Sequence, residues 1–230
     1  MRLLAPRAKP PAALGSEAQD LELLADKAYR LIKTQILGGK FPPNTPLPEA
    51  ELQRSLEMGR TPIREALIRL QQEGLVQIVP RRGAFVQTLT LNDARDLYHV
   101  RSILEPEAVR LASRHISPGE LEALAKEFRE LLADEDAIDL EELIQLDQKL
   151  HRLFLERCGN PYLAEALERL HNHSQLAWAL SAQNRAEMLQ ACKNHLALIE
   201  SLQQGDVEKA AGMMREHVLA MYRAISTLTR

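Results

Sequence analysis

The chain has 230 residues, 45% hydrophobic, 27% charged and 4% aromatic, which suits one large or two small helix-rich domains and excludes a disulfide-stapled mini-domain. Cys158 and Cys192 are too few for a cysteine-rich zinc site, and no stretch approaches a membrane span, so a cytoplasmic protein is expected. The net charge of -3 is uneven: residues 1–90 carry 13 Lys/Arg against 9 Asp/Glu, while residues 91–230 carry 16 against 23, so only the first part suits a polyanion.

Residues 1–20 contain Pro6, Pro10 and Pro11, which interrupt any apolar run, and are predicted to be a disordered tail. A helix is predicted from about Leu23 to Leu37, with Leu24, Ala28, Leu31, Ile32 and Ile36 at helical spacing before "GGK" stops it. After the proline-rich loop "FPPNTPLP", Glu49 to Leu56 form a short helix and Glu57-Met58-Gly59 a tight break. Thr61 and Pro62 suit the N-cap and first turn of the next helix, which runs through Ala66, Leu67 and Leu70 to Gly74. The β-rich runs "LVQIV" and "AFVQT" follow, joined by "PRRG", where Gly83 can take a positive φ.

Helix, helix, turn, helix and hairpin make a winged helix-turn-helix over residues 21–89. The second helix of that motif places its N-terminal residues against base edges in the major groove. Arg60 and Arg64, one turn apart, would meet guanine O6 and N7 there. Thr61 would cap the helix or touch a phosphate, and Arg81, Arg82 and Gly83 at the hairpin tip would reach phosphate or the minor groove. The alternative is that the two arginines pair with Glu57 and Glu65.

From Asn92 onward every segment reads as helix. Ser117, Pro118 and Glu120 form a capping box, Gly159-Asn160-Pro161 joins two helices and Gly205-Asp206 two more. Six helices are expected, near 92–115, 118–134, 139–157, 161–183, 186–204 and 206–228. Their short connections favour an antiparallel bundle over residues 90–230. The whole chain is thus mainly α.

Polar residues interrupt the core stripes of three of these helices. Asp147 and His151 lie on the third, His195 on the fifth and His217 on the sixth. A buried carboxylate is costly unless paired or bound to a cation, and three imidazoles with one carboxylate suit a divalent first-row metal, zinc first, with nickel, manganese or iron as other candidates. On the first bundle helix Arg101 turns inward, where it either pairs with Glu105 one turn on or grips an anionic effector. His171 and His173 sit on the fourth helix, where they either line the pocket or, as favoured, take core or exposed roles; Cys192 is not expected to reach the metal, and Trp178 reads as core. An enzyme is the competing reading. It is disfavoured because a di-iron bundle needs two E-x-x-H motifs, whereas this chain has one, Glu168 to His171, off the ligand stripe. A metal-free interaction module is the third.

The run "GKFPPNTPLPEAELQRSLEMGRTPIREALIRLQQEGLVQIVPRRGAFV" resembles the DNA-binding domain of the GntR superfamily of bacterial transcription regulators. Leu47, Glu49, Leu52, "RTPIREAL", "EGLV" and "GAFV" carry the resemblance. Three positions depart from the family pattern: Asn44 replaces a loop glycine, Gln53 a small residue and Gly59 a serine. The segments "VRSILEPEAVRLAS", "DQKLHRLFLERCGNPYL", "NHLALIESLQQGDVEKA" and "MMREHV" are similar to the FCD ligand-binding domain of the FadR-like branch, in its smaller six-helix type. That resemblance implies a helical bundle with a metal held by Asp147, His151, His195 and His217. It further implies a homodimer on a palindromic operator in double-stranded DNA, retuned by a small organic acid.

Overall fold

The computed structural model describes residues 14–180 and 185–227, with side chains described for 23–177 and 185–226. The chain divides after Val86 into two compact units. The expected tail falls largely outside the described residues, but its last part does not, because the first helix, α1, spans Leu14–Leu37. "LGSEAQDLE" contains no proline, and its Glu, Ala, Gln and Leu are good helix formers that outweigh Gly15 near the end, so the helix starts nine residues before the expected Leu23.

In the first unit, α1 is followed by α2 (Glu49–Leu56), α3 (Arg60–Gln72), β1 (Val76–Val79) and β2 (Gly83–Val86). The buried face of α1 is Ala25, Ala28, Ile32 and Ile36, while Leu24 and Leu31 stand exposed, so the face is rotated from the one expected. It packs against α3, whose Ile63, Ala66, Leu67 and Leu70 are buried, and α3 in turn packs against α2, whose Leu52 is buried. Glu73 ties the two ends together, accepting from Tyr29 Oη at 2.5 Å and Lys33 Nζ at 2.7 Å. The turn between α2 and α3 is set by Glu57, held at φ +54, and by the Met58 amide donating to the Gln53 carbonyl at 3.1 Å.

The strands pair antiparallel, Val76 opposite Val86 and Val79 opposite Gly83. A third extended segment, not foreseen from the sequence, lies against β2: Leu47 N donates to Ala84 O at 2.8 Å, Val86 N to Thr45 O at 2.9 Å and Asn44 N to Val86 O at 3.0 Å. Asn44 has φ +63. Asparagine tolerates this left-handed conformation better than other non-glycine residues, so its replacement of the loop glycine leaves the turn intact.

Among its described residues the second unit holds six helices: α4 (Leu91–Ala112), α5 (Pro118–Leu131), α6 (Leu140–Arg157), α7 (Pro161–Leu180), α8 (Arg185–Gln203) and α9 (Val207–Thr227). Capping boxes start three of them, Thr90 with Asp93, Ser117 with Glu120 and Asp139 with Glu142. Gly159 closes α6 at φ +67, and a Cβ there would come within 3.2 Å of His115. The core joins Phe128, Leu143, Leu150, Phe154, Leu198, Ile199, Met214 and Val218. α4 packs against α6, α7 and α9, and α8 against α5, α6 and α9, so α4, α6, α8 and α9 form a ring around the middle of the bundle. The expected core role of Trp178 falls on a side chain outside the described residues.

Candidate DNA interface and metal centre

The N-cap of α3 is Gly59, extended at φ -66 and ψ 171 and without a side-chain cap bond, so the helix starts one residue before Thr61. Thr61 is therefore a first-turn residue rather than the cap expected of it. Pro62 and Ile63 are buried beneath it, which turns Arg60, Thr61, Arg64, Glu65 and Ile68 outward on one face. The two arginines pair with neither Glu57 nor Glu65 but with Glu49 at the start of α2. Arg64 Nε lies 3.0 Å from both Glu49 oxygens and Arg60 Nε lies 3.2 Å from one. Burial slightly disfavours the Glu49 carboxylate, but the two guanidiniums outweigh it and hold the carboxyl below its usual range. Glu49 was missed because its link to the arginines is set by the angle between two helices, not by a repeat.

At the hairpin tip Arg81 has φ +64 and Gly83 φ +100, and Arg82 N donates to Val79 O at 3.1 Å. This tight loop leaves Arg81, Arg82 and Gly83 exposed, with the Arg82 guanidinium 5.4 Å from the Phe85 ring centre. The first unit thus presents a helix face with two arginines and a hairpin tip with two more.

In the second unit the four expected ligands come together. One ligand atom each from Asp147, His151, His195 and His217 lies within 4.8 Å of all the others. His151 Nε2 is 3.4 Å from His217 Nε2 and 3.9 Å from Asp147 Oδ1. Oδ1 is also 3.4 Å from His195 Nδ1 and 4.0 Å from His217 Nε2. A tetrahedral ion with bonds of about 2.0–2.1 Å separates its ligand atoms by roughly 3.3 Å, so the cluster is close to the size that such an ion needs.

Three atoms in it lack any hydrogen bond: Asp147 Oδ1 and both ring nitrogens of His195, a residue with 0% exposure. Each unsatisfied buried polar atom costs about 1–3 kcal/mol, and a cation removes that cost for the atoms it touches. Burial drives the His195 and His217 imidazoles well below their ordinary value, which leaves them neutral, as metal ligation requires. Burial also pushes the Asp147 carboxyl up, a shift that a divalent charge reverses. The residues present therefore fit a divalent ion.

Around the cluster lies a layer of partners that the sequence showed only in outline. The Arg101 guanidinium is buried and grips Glu105: Nε lies 2.5 Å from Glu105 Oε1, and Nη1 bonds Ser174 on α7. Of the two roles open to Arg101 in the sequence, the pairing with Glu105 one turn on is the contact made here. Glu105 Oε1 also meets His171 Nε2 at 3.0 Å, and Oε2 lies 3.0 Å from His151 Nδ1. Burial lowers His171 to about 4, outweighing the Glu105 carboxylate. Cys192 gives its thiol to the Leu143 carbonyl at 3.6 Å and stays outside the cluster.

A cavity of about 310 Å³ between α8 and α9 reaches His217, with Glu187, Gln190, Asn194, Met221 and Arg223 among its lining. No helix among the described residues is long and apolar enough to cross a membrane.

A two-stranded wing, a helix presenting paired arginines and a helical bundle with a buried cluster of ligand-type side chains define a two-part DNA-binding regulator. The family comparisons agree. Residues 24–86 match the bacterial regulatory proteins of the gntR family and residues 96–220 match the FCD domain. The chain is 30% identical over 197 residues to the HTH-type transcriptional regulator YdhC of Bacillus subtilis, covering 84% of this chain and 85% of that one. It is 30% identical over 201 residues to the HTH-type transcriptional repressor GlaR of Escherichia coli, covering 83% and 90%. In fold it is similar to E. coli McbR/YncC, with a TM-score of 0.79 at 23% identity over 90% of this chain and 99% of that one. The chain belongs to the GntR family of DNA-binding transcription regulators and carries an FCD domain; its relatives are regulators, not enzymes.

Proposed function

We propose that this regulator binds a palindromic operator as a cytoplasmic homodimer, and that its operator affinity is set by a small organic acid bound at a divalent metal in the FCD domain. Arg60 and Arg64 read guanines in the major groove, Thr61 meets an adjacent phosphate, and the tip formed by Arg81, Arg82 and Gly83 tracks the backbone or minor groove. Glu49 holds the two guanidiniums until DNA takes them.

In the FCD domain Asp147, His151, His195 and His217 hold the ion, with zinc the proposed metal because neutral imidazoles and one carboxylate at near-tetrahedral spacing suit it. Such an ion would offer the effector's carboxylate a Lewis-acidic position only by expanding its coordination beyond these four ligands, as first-row divalent ions can. Acid of modest size is the proposed effector because the cavity beside His217 is small and carries Asn194 and Arg223 for the remaining polar groups. Arg101 takes no direct part in effector binding; it fixes Glu105. An effector that draws α8 and α9 together changes operator affinity only to the extent that it prefers one arrangement of the bundle, and so of the dimer, over another.

The observation that carries this reading is the convergence of four ligand atoms with three orphaned buried polar atoms in one core. The test is metal analysis of the purified chain beside operator titrations with and without candidate acids. About one metal per chain and a shifted operator affinity are expected. Equal affinities across an acid screen with the metal present would overturn the effector reading, and absence of metal after zinc incubation would overturn the metal reading.

A further inference from the structure

The Asp147 cluster is flanked on its α4 side by a second group of titratable side chains, Glu105, His151 and His171, whose ligand atoms also lie within 4.8 Å of one another. His151 belongs to both groups, and its two ring nitrogens face opposite ways. Nε2 looks into the first cluster, 3.4 Å from His217 Nε2, while Nδ1 looks at Glu105 Oε2, 3.0 Å away.

A second metal ion is the wrong occupant for the Glu105 group. Its carboxylate is already claimed by a permanent cation, since Arg101 Nε sits 2.5 Å from Oε1 and would oppose a second positive charge there, and the 3.0 Å between His151 Nδ1 and Oε2 is a hydrogen-bonding distance. The group is built as a carboxylate with three nitrogen neighbours: Arg101 from its own helix, His151 from α6 and His171 from α7.

A carboxylate oxygen in a core can only accept. An imidazole nitrogen and a carboxylate oxygen 3.0 Å apart in a core repel when both present lone pairs, so the nitrogen of His151 next to Oε2 is assigned the proton. A neutral imidazole has one proton to place, and with it on Nδ1 the lone pair is on Nε2, the nitrogen that faces Asp147, His195 and His217. Oε2 has no well-aligned hydrogen bond although Glu105 is 2% exposed, so His151 is the contact on which that oxygen depends.

We propose that Glu105 is a positioning residue for the metal centre: it fixes His151 in the Nδ1-protonated tautomer, so that Nε2 is the ligating atom, and is itself held in place by Arg101 and His171. This rests on the reading of the Asp147 cluster as a metal site. Arg101 then has a role that neither an exposed surface pair nor an effector anchor supplies. Its guanidinium, clamped by Ser174 of α7, fixes the rotamer of Glu105 and so the plane of a metal-ligating ring on α6. Carboxylates behind metal-bound histidines raise ligand basicity, and their loss typically costs 10- to 100-fold in metal affinity.

Two measurements on the full chain test this. Long-range 1H–15N correlation spectra of the histidine rings, with one equivalent of zinc added, report the protonation state of each ring nitrogen. His151 is expected to carry its proton on Nδ1, with Nε2 shifted by zinc; a proton on Nε2 would overturn the proposal with no variant needed. Zinc affinity, measured by competition with a chromophoric chelator, is expected to fall about 10- to 100-fold in Glu105→Gln. Circular dichroism checks that the variant is folded; if it is not, the tautomer in the parent chain decides alone. A folded Glu105→Gln that binds zinc as tightly as the parent would overturn the role of Glu105 while leaving the metal site standing. A parent chain that takes up no zinc would instead remove the site itself.

Discussion

Arg64→Ala should cost sequence discrimination more than it costs affinity. In the free chain Arg64 Nε lies 3.0 Å from both Glu49 oxygens while 53% of the side chain remains exposed. An exposed ion pair of this kind contributes about 0.2–1 kcal/mol, and a guanidinium on guanine O6 and N7 contributes about 1–3 kcal/mol of discrimination. On a scrambled duplex Arg64 can stay on Glu49; on the operator it must leave. The difference between the two is about 1–2 kcal/mol, so the ratio of operator to scrambled-duplex affinity should fall roughly 5- to 30-fold. Fluorescence anisotropy titrations on both duplexes at two salt concentrations measure that ratio. If both affinities fall together, the ratio holds and the salt slope becomes shallower by about one, then Arg64 contacts phosphate and the base-reading argument is wrong.

Glu49→Gln removes the carboxylate that both arginines share, so binding to scrambled DNA should strengthen severalfold and discrimination should fall; unchanged affinities for both duplexes would show that Glu49 restrains neither side chain. Gly59→Ser should fold normally, because a Cβ there meets nothing nearer than Pro62 Cδ at 4.0 Å. It adds an N-cap hydroxyl worth a few tenths of a kcal/mol, and operator affinity should rise; a loss of stability would mean the glycine is required. His195→Ala should bring zinc content from one per chain towards zero and abolish the stabilisation that zinc gives, about 2.7 kcal/mol at a hundred times the dissociation constant, read as a shift in Tm; a variant that kept its zinc would remove His195 from the ligand set.

With metal chelated, stability should decline as pH drops from 6.5 towards 5. Burial keeps His195 and His217 well below 6.5 and His171 at about 4, so these three stay neutral in the fold and take up protons only when it opens. The unfolded chain then binds more protons, which favours it increasingly on acidification. Two groups act in the opposite sense. Burial opposes the His151 imidazolium, but Glu105 outweighs it and raises that group, and burial raises Asp147. Urea midpoints that stay flat or climb towards pH 5 would contradict this balance.

Most of the secondary structure was legible in the sequence because each element carries its own local signal. The Ser117 and Glu120 capping box, the turn glycines and the 3.6-residue stripes lie within one or two turns of chain, so α5 to α9 begin and end close to where they were expected. The convergence of four side chains was legible for a related reason: Asp147, His151, His195 and His217 are polar intrusions on apolar stripes, and a stripe says which face meets the core. α1 was misjudged at both levels. No local stop marks its true start, and Leu24 and Leu31 carry the same spacing as the alanines and isoleucines that are buried instead.

Composition and periodicity determined two things by themselves: a basic winged helix followed by an acidic helical bundle, and four polar side chains of ligand type set on core-facing stripes. Only the tertiary structure decided which partner each charge meets. Glu49 reaches Arg64 across 15 residues and Glu105 reaches His171 across 66, through helix crossings that no repeat encodes. The strand-like segment around Pro46 is likewise recruited by the free edge of β2 rather than by its own propensity. Desolvation is the physical reason for these choices. Once Arg101 is 5% exposed and Glu105 2% exposed, each must find an opposite charge within hydrogen-bonding distance, and the packing of α4 against α6 and α7 determines which ones are there.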